Sequence, residues 1–442
     1  MKKLLVCLLV GIMICSLFAC GKQVVAEENA ASGVLRVGFG RRDITPTEEP
    51  IPLHGYPGNE YRYYTSVLDP IYATCVAITD EADNTIILFH MDLTSSWANV
   101  TAWQRRAVSD ATGVPISNIS IAATHNHSAP SLGYADNEAY PMVSQYADRL
   151  KELMVEAALE AMEDRTVCTM EYGSAYPVGL NFVRHYVMDD GSVVGDNFGS
   201  PDGKNYVGHV HSVDNQLQVL RFVREGKQDV VMCNFQTHPH LCGGAQDGRV
   251  TADLIAPMRS YLEEHLDCKF IYFTAGAGNV NPNSRIQTEN AFTDYVDHGQ
   301  QLARYAIMAL TDTKQISAGK VTAAERDVEV YINSNKLKIR LQVLSAGGLA
   351  FGAPPYEMFD TNNKFVKDNS PFEATFMLYL ANSSNGYVAE ESAYRYGGYE
   401  VEYKGYSKGS AEVLADHFVD LLYEIKGETN PNTLREAVPE KE

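Results

Sequence analysis

The sequence predicts an α/β protein, one large domain built on a mixed β-sheet with helices on both faces. Three observations carry this. Short apolar runs of strand length alternate with longer stretches whose apolar residues recur at helical spacing. After residue 320 the runs lengthen and are less evenly separated, which makes the sheet mixed. The residues directly behind several runs are histidines, asparagines, glycines and prolines, at the place where open α/β sheets bind ligands.

The elements follow in order. Lys2 and Lys3 precede an apolar run over 4–18 that closes in "LFAC". Residues 1–20 read as an export signal, with Cys20 as the lipidated residue of a bacterial lipoprotein cleavage box. Cleavage without lipid and an uncleaved anchor are the alternatives. Residues 21–33 are polar and small and form a tether. The folded domain spans 34–426, and the tail 427–442, charged and proline-bearing, is expected to fray. No later run reaches the roughly 18 apolar residues of a membrane span.

Inside the domain, "TIILFHM" (85–91) is a buried-strand run. Residues 96–113 place Trp97, Val100, Trp103, Ala107 and Ala111 near helical spacing, with Gly113 as the stop. "NISIAAT" (118–124) is the next strand, and 145–162 an amphipathic helix. A strand at 229–237 leads to a helix at 252–266 that tolerates an early proline. A strand at 269–274 and a helix at 292–310 complete the alternation.

Composition narrows the function classes. The chain of 442 residues is 45% hydrophobic and 21% charged, as soluble globular proteins are. Removing residues 1–20, which hold two lysines and no acid, moves the net charge from −20 to −22. Such a surface repels nucleic acid and anionic lipid head groups. Behind Cys20 stand Cys75, Cys168, Cys233, Cys242 and Cys268, an odd number without a CxxC. That excludes a disulfide scaffold or zinc ribbon and leaves room for one disulfide.

Three HxH pairs occur: His125/His127, His209/His211 and His238/His240. With 12 histidines in 442 residues, chance gives about 0.3. In an extended segment residues i and i+2 face the same side, so both rings can address one point. Neutral imidazole is a good zinc ligand, and three protein ligands plus a water make a catalytic zinc site, where zinc lowers the pKa of water to about 7. A single HxH at a strand end is more often hydrogen-bonded surface. Two pairs, each behind a predicted sheet strand, reverse that balance. His209/His211 follows no strong strand and reads as ordinary surface. "GAGNVNPN" (276–283) lacks the third glycine and the prompt helix of a dinucleotide loop. Its Asn279, Asn281 and Asn283 instead offer amide hydrogen bonds to a ligand.

The motifs "GFGRRDITP", "THNHSAPS", "THPH", "GNVNPN" and "NGYVAEESAYRYGGYE", in this order, together resemble the neutral/alkaline non-lysosomal ceramidase family over roughly 35–425. Members of that family are zinc amidases that cleave an N-acyl bond. The resemblance places the zinc ligands on His125, His238, Glu357 (in "PPYEMF") and Tyr387, and a polar-group-binding arginine on Arg184 (in "LNFVRHY"). His127 then suits general acid–base work or an oxyanion contact. The chain departs from the family at two points. Where the family reads "GDVSPN", Asn281 replaces the serine and Asn279 the aspartate, so a serine nucleophile is lost while a zinc-hydroxide route survives. The additional C-terminal immunoglobulin-like domain of true ceramidases is not expected here.

The signal and the resemblance together imply an exported zinc hydrolase at the cell surface or in the periplasm, anchored through lipidated Cys20. It would act on ceramide, another N-acyl lipid or a small acylated amine, with Asn281 and His127 serving the reaction. Two rivals stay open: a zinc esterase or deacetylase acting on glycans, and a metal-binding surface lipoprotein without turnover. The oligomeric state is left open.

Overall fold

A computed structural model describes residues 33–56, 62–195, 205–242, 247–282 and 295–438. The expected export signal with Cys20, the tether apart from Gly33, and Asn283 lie outside them.

The first layer is one large sheet. Strands β1 (Leu35–Asp43), β2 (Tyr72–Thr79) and β3 (Thr85–Met91) pair antiparallel in that order. Helix α1 (Ala98–Thr112) carries the chain to β4 (Ile119–Ala123), parallel to β3. Helix α2 (Pro141–Glu163) returns it to β5 (Thr166–Ala175) on the other side of β1. Next come β6 (Leu217–Arg224) and β7 (Val230–Phe235), helix α3 (Ile255–Leu266), and β8 (Lys269–Thr274), parallel to β7. The order is β8-β7-β6-β5-β1-β2-β3-β4. The sheet is mixed, as expected, with one parallel pair at each end.

Helices α1 to α3, with α4 (Tyr295–Ala309), cover one face and share a core with Cys75, Phe89, Cys233 and Tyr272. The glycines of "GFG" have a steric task. A Cβ on Gly38 or Gly40 would overlap the carbonyl oxygens of Ala161 or Ala157, so their absence lets α2 lie directly on β1. In α2 the buried residues Val143, Tyr146, Ala147, Leu150, Met154, Ala157, Ala158 and Ala161 keep helical spacing. In α1 the buried face is Val100, Thr101, Gln104 and Val108, while Ala107 is partly buried and Ala111 exposed. The expected stripe is thus rotated by one position beyond Val100. The Thr101 hydroxyl accounts for part of this, bonding the carbonyls of Trp97 and Asn382. Gly113 stops the helix as expected, at φ 75 with its N–H on the Ser109 carbonyl.

The other face is covered by a second sheet of β9 (Val321–Ile332), β10 (Asn335–Ala346), β11 (Leu349–Ala353) and β12 (Ala374–Met377), in that order. Val37, Ile78, Leu88 and Phe222 pack there against Leu344, Phe351 and Phe376. Helices α5 (Asp360–Asp368) and α6 (Ser410–Lys426) lie on the outer side of this second sheet. Helices therefore flank the structure on both sides, the second set one layer farther out than a single sheet would place it.

The large sheet is rolled so that its two ends meet. The hydroxyl of Thr274, the last residue of β8, donates to the Thr124 carbonyl just behind β4 at 2.7 Å. His90 of β3 contacts the Tyr272 carbonyl of β8. This brings together loops that the strand order would keep far apart.

Among the described residues the five cysteines are free and buried, so the room for a disulfide is not used there. Residues 427–438 form no helix or strand, yet Arg435 is tied to Asp416 by Nε at 2.7 Å. Among the described residues no helix is long and apolar enough to cross a membrane.

Candidate metal centre

His125 stands two residues past β4, in the left-handed region at φ 66. Its backbone N–H is held by the Leu93 carbonyl at 3.0 Å. Its Nδ1 meets the Thr94 carbonyl at 2.6 Å, which makes Nδ1 the protonated nitrogen and turns the Nε2 lone pair outward. His238, three residues past β7, repeats the device. Both its backbone N–H and its Nδ1 bond the Val280 carbonyl at 3.0 Å. Its Nε2 is buried and has no hydrogen-bond partner. Rolling of the sheet sets the two rings 4.8 Å apart.

Glu357 completes the convergence. Its Oε2 lies 3.3 Å from His125 Nε2 and 3.5 Å from His238 Nε2, and accepts the Tyr379 hydroxyl at 3.0 Å. His127 joins them, with Nε2 3.4 Å from His125 Nε2. Donor atoms of His125, His127 and His238 all lie within 4.8 Å of one another. Separations of 3.3–3.5 Å are those of donors that each sit about 2 Å from one ion. With two imidazoles pinned through Nδ1 and an orphaned Nε2 on His238, the residues fit a divalent metal.

Tyr387 comes to the same place by backbone pairing. Glu357–Met358 and Tyr387–Val388 form a two-residue parallel ladder, with Glu357 opposite Tyr387. The Arg184 guanidinium stands 5.4 Å from the Tyr387 ring centroid. Arg184 also donates from Nε to Glu400 at 2.6 Å, from Nη2 to the Gly278 carbonyl at 3.0 Å and from Nη1 to Asn281 Oδ1 at 3.4 Å. Asn281 Oδ1 is further met by His240 Nε2 at 3.1 Å.

The electrostatics agree with this grouping. Burial keeps His238 neutral, down to about 4, and His240 to about 3. Burial and the neighbouring His125, His240 and His238 hold His127 well below its ordinary value. Burial alone would raise the Glu357 carboxyl, but His125 and His238 overcome it and hold the group below the usual carboxylate range. Burial and the Glu357 charge push the Tyr387 phenol well up. The Arg184 charge is secured by Glu400 and Tyr387 against the opposing effect of burial.

All seven expected site residues thus fall in one neighbourhood. Asn279 does not serve as expected. It is fully buried and locked to Asp360 by reciprocal hydrogen bonds of 3.0 Å, side chain to side chain and side chain to backbone N–H, so its amide holds the start of α5 instead of a ligand. Sequence reasoning missed Tyr379 and Glu400 and gave His240, though counted in an HxH pair, no role of its own. Tyr379 follows β12, and the rule that located His125 would have found it had it been applied beyond residue 320. His240 was visible as the second half of "HPH". Glu400, which also meets His185 Nε2 at 3.0 Å, carried no local signal.

No protein-family model matches the chain, and no curated protein sequence matches it. Among solved structures it is similar to the neutral ceramidase from Pseudomonas aeruginosa, with TM-score 0.73 and 16% identity over 92% of this chain and 76% of that one. It is also similar to a ceramidase complexed with C2, with TM-score 0.73 and 15% identity over 92% of this chain and 77% of that one. The chain has a neutral ceramidase-like fold; at this identity the likeness is one of fold.

Proposed function

We propose that the chain is an exported zinc-dependent amidohydrolase of the neutral ceramidase type, lipid-anchored through Cys20, that cleaves the N-acyl bond of ceramide or a related N-acyl lipid. The observation that carries this reading is the convergence of His125 Nε2 and His238 Nε2 on Glu357 Oε2, at 3.3 and 3.5 Å, with both Nδ1 atoms pinned by backbone carbonyls. The ceramidase-like fold supports it. In this reading His125, His238, Glu357 and Tyr387 hold the ion. Zinc, when bound, polarises an acyl carbonyl and acidifies water.

Hydrolysis forms a C–O bond, breaks the C–N bond and delivers the proton of water to the leaving nitrogen. His127, kept neutral by burial and its imidazole neighbours, takes that proton and passes it on. Asn281, aligned by His240 and Arg184, donates its amide to the developing oxyanion. Asparagine is no nucleophile, so water attacks directly. Arg184, anchored by Glu400, adds positive field at the same point.

The test is elemental analysis of the purified chain coupled to a panel of N-acyl lipids, small N-acyl amines and acetylated sugars. One zinc per chain and release of amine from an N-acyl lipid are expected. Metal-replete protein that binds such a substrate without cleaving it defeats the reading. Turnover of the sugars alone moves it to a glycan deacetylase.

A further inference from the structure

His127 is held differently from the two imidazoles beside it. His125 and His238 each bond a backbone carbonyl through Nδ1, which fixes the tilt of the ring. His127 Nδ1 is buried and has no hydrogen-bond partner, while its Nε2 faces His125 Nε2 at 3.4 Å. Its ring is therefore placed by its own backbone and by what packs against it. Both sides of that backbone are tied. The N–H donates to the Pro239 carbonyl at 3.2 Å. The carbonyl accepts Arg62 Nη2 at 2.6 Å, and the same Nη2 donates to the His54 carbonyl at 2.7 Å. Arg62 is 5% exposed, so these charge-assisted bonds are little weakened by solvent.

The chain passes His127 twice to build this clasp. Leu53 and His54 pair antiparallel with Pro130 and Ala129, just behind His127. The Leu53 N–H then bonds the Arg62 carbonyl at 2.7 Å, which brings the chain back to the same place. Gly55 stands at φ 125, and a Cβ there would lie 2.5 Å from His127 Cβ, so only glycine lets the segment come this close. The Tyr56 ring meets the His127 ring edge-on, with centroids 5.2 Å apart at 87°. The Arg62 guanidinium lies 5.1 Å from the Tyr56 centroid. Arg62 thus touches both the backbone of His127 and the ring that flanks its side chain. We propose that Arg62 is a positioning residue for the reaction, holding His127 so that Nε2 stays aimed at the centre. The inference rests on the reading that His127 carries the proton. A proton carrier without an Nδ1 anchor needs such a clasp, because its rate depends on alignment.

The zinc-loaded full chain and its Arg62→Ala variant are assayed on ceramide and on small N-acyl amines. In Arg62→Ala kcat is expected to fall by about 10- to 100-fold, with KM and zinc stoichiometry unchanged. Arg62→Lys, whose ammonium can still donate to the two carbonyls, is expected to recover most of the loss. A second measurement needs no turnover: acylation of histidines by diethylpyrocarbonate, located by peptide mass spectrometry. His127 is expected to react faster in Arg62→Ala than in the unaltered chain, with His125 and His238 unchanged. Unchanged kcat or unchanged labelling of His127 in folded Arg62→Ala overturns the proposal. Loss of zinc in that variant also overturns it, since Arg62 would then support the metal instead. Should Arg62→Ala fail to fold, Tyr56→Ala is read in its place. The same fall in kcat and the same gain in labelling are expected there, and an unchanged value of either overturns the proposal. If the unaltered chain cleaves none of these substrates, the hydrolase reading fails, and the labelling alone decides whether Arg62 fixes His127.

Discussion

The two histidine loops and the segment from Glu357 to Glu400 meet at one point, but they reach it by different means. His125 and His238 follow regular strands of the large sheet, and carbonyls of neighbouring segments hold their backbone N–H groups. Glu357 and Tyr387 stand on a two-residue ladder that belongs to neither large layer. Their positions depend on scattered contacts: the Glu357 N–H on the Gly386 carbonyl at 2.9 Å and the Gly278 N–H on the Met358 carbonyl at 2.8 Å. The first half of the centre is encoded by strand period and strand ends. The second is placed by the fold closing around the first.

The sharpest way to break this comparison is to remove a strand-end histidine. His238→Ala is expected to lose stoichiometric zinc and all turnover above background while circular dichroism stays unchanged. Retained stoichiometric zinc would take His238 out of the ligand set and shift the weight to the irregular half. Next comes His127, which shares its loop with His125 but is assigned the proton. His127→Ala should lower turnover by about 10²–10⁴-fold with zinc still bound. Zinc loss in that variant would make it a third imidazole ligand, as its 3.4 Å approach to His125 allows. Asn281→Ala should lower turnover by about 10²–10³-fold without releasing metal, and full activity would show that the loop is only structural.

The smallest expected effect concerns stability and the irregular half. Glu400 is buried between Arg184 and His185. Burial opposes its ionisation, yet Arg184 and then His185 hold it at about 2. Its folded value is depressed, so in the acid range the unfolded chain binds the extra proton. The stabilisation is present above about pH 4.5 and is lost as pH falls toward about 2. It amounts to roughly 3 kcal/mol. Acid unfolding of Glu400→Gln should lack this part of the pH dependence. An unchanged acid limb would show that Glu400 does not anchor Arg184.

The same contrast explains what was legible. The strands at 85–91, 118–124, 229–237 and 269–274 and their following helices are present, and the residues behind the last three include His125, His238 and Asn281 of the centre. Glu357, Tyr387 and Arg184 could be placed only through the order of motifs, because no local period marks them. The strands after residue 320 are legible as strands, but not that they form a sheet of their own, since strand period does not say which sheet a strand joins. In α1 the hydrophobic period pointed to Trp103 and Ala107, while Thr101 and Gln104 are the ones buried, a choice made by the second-sheet loop at Asn382.

The rolled sheet contributes two imidazoles and the loop after β11 contributes Glu357, so an ion held at that point would act as a rivet across the seam between the layers. Its removal is expected to leave the strands of the large sheet untouched and to slacken the stretches around 354–359 and 378–400. Metal occupancy then becomes a matter of local unfolding: faster amide hydrogen exchange and protease nicking in those stretches, with the sheet cores protected, mark a chain that has lost its ion.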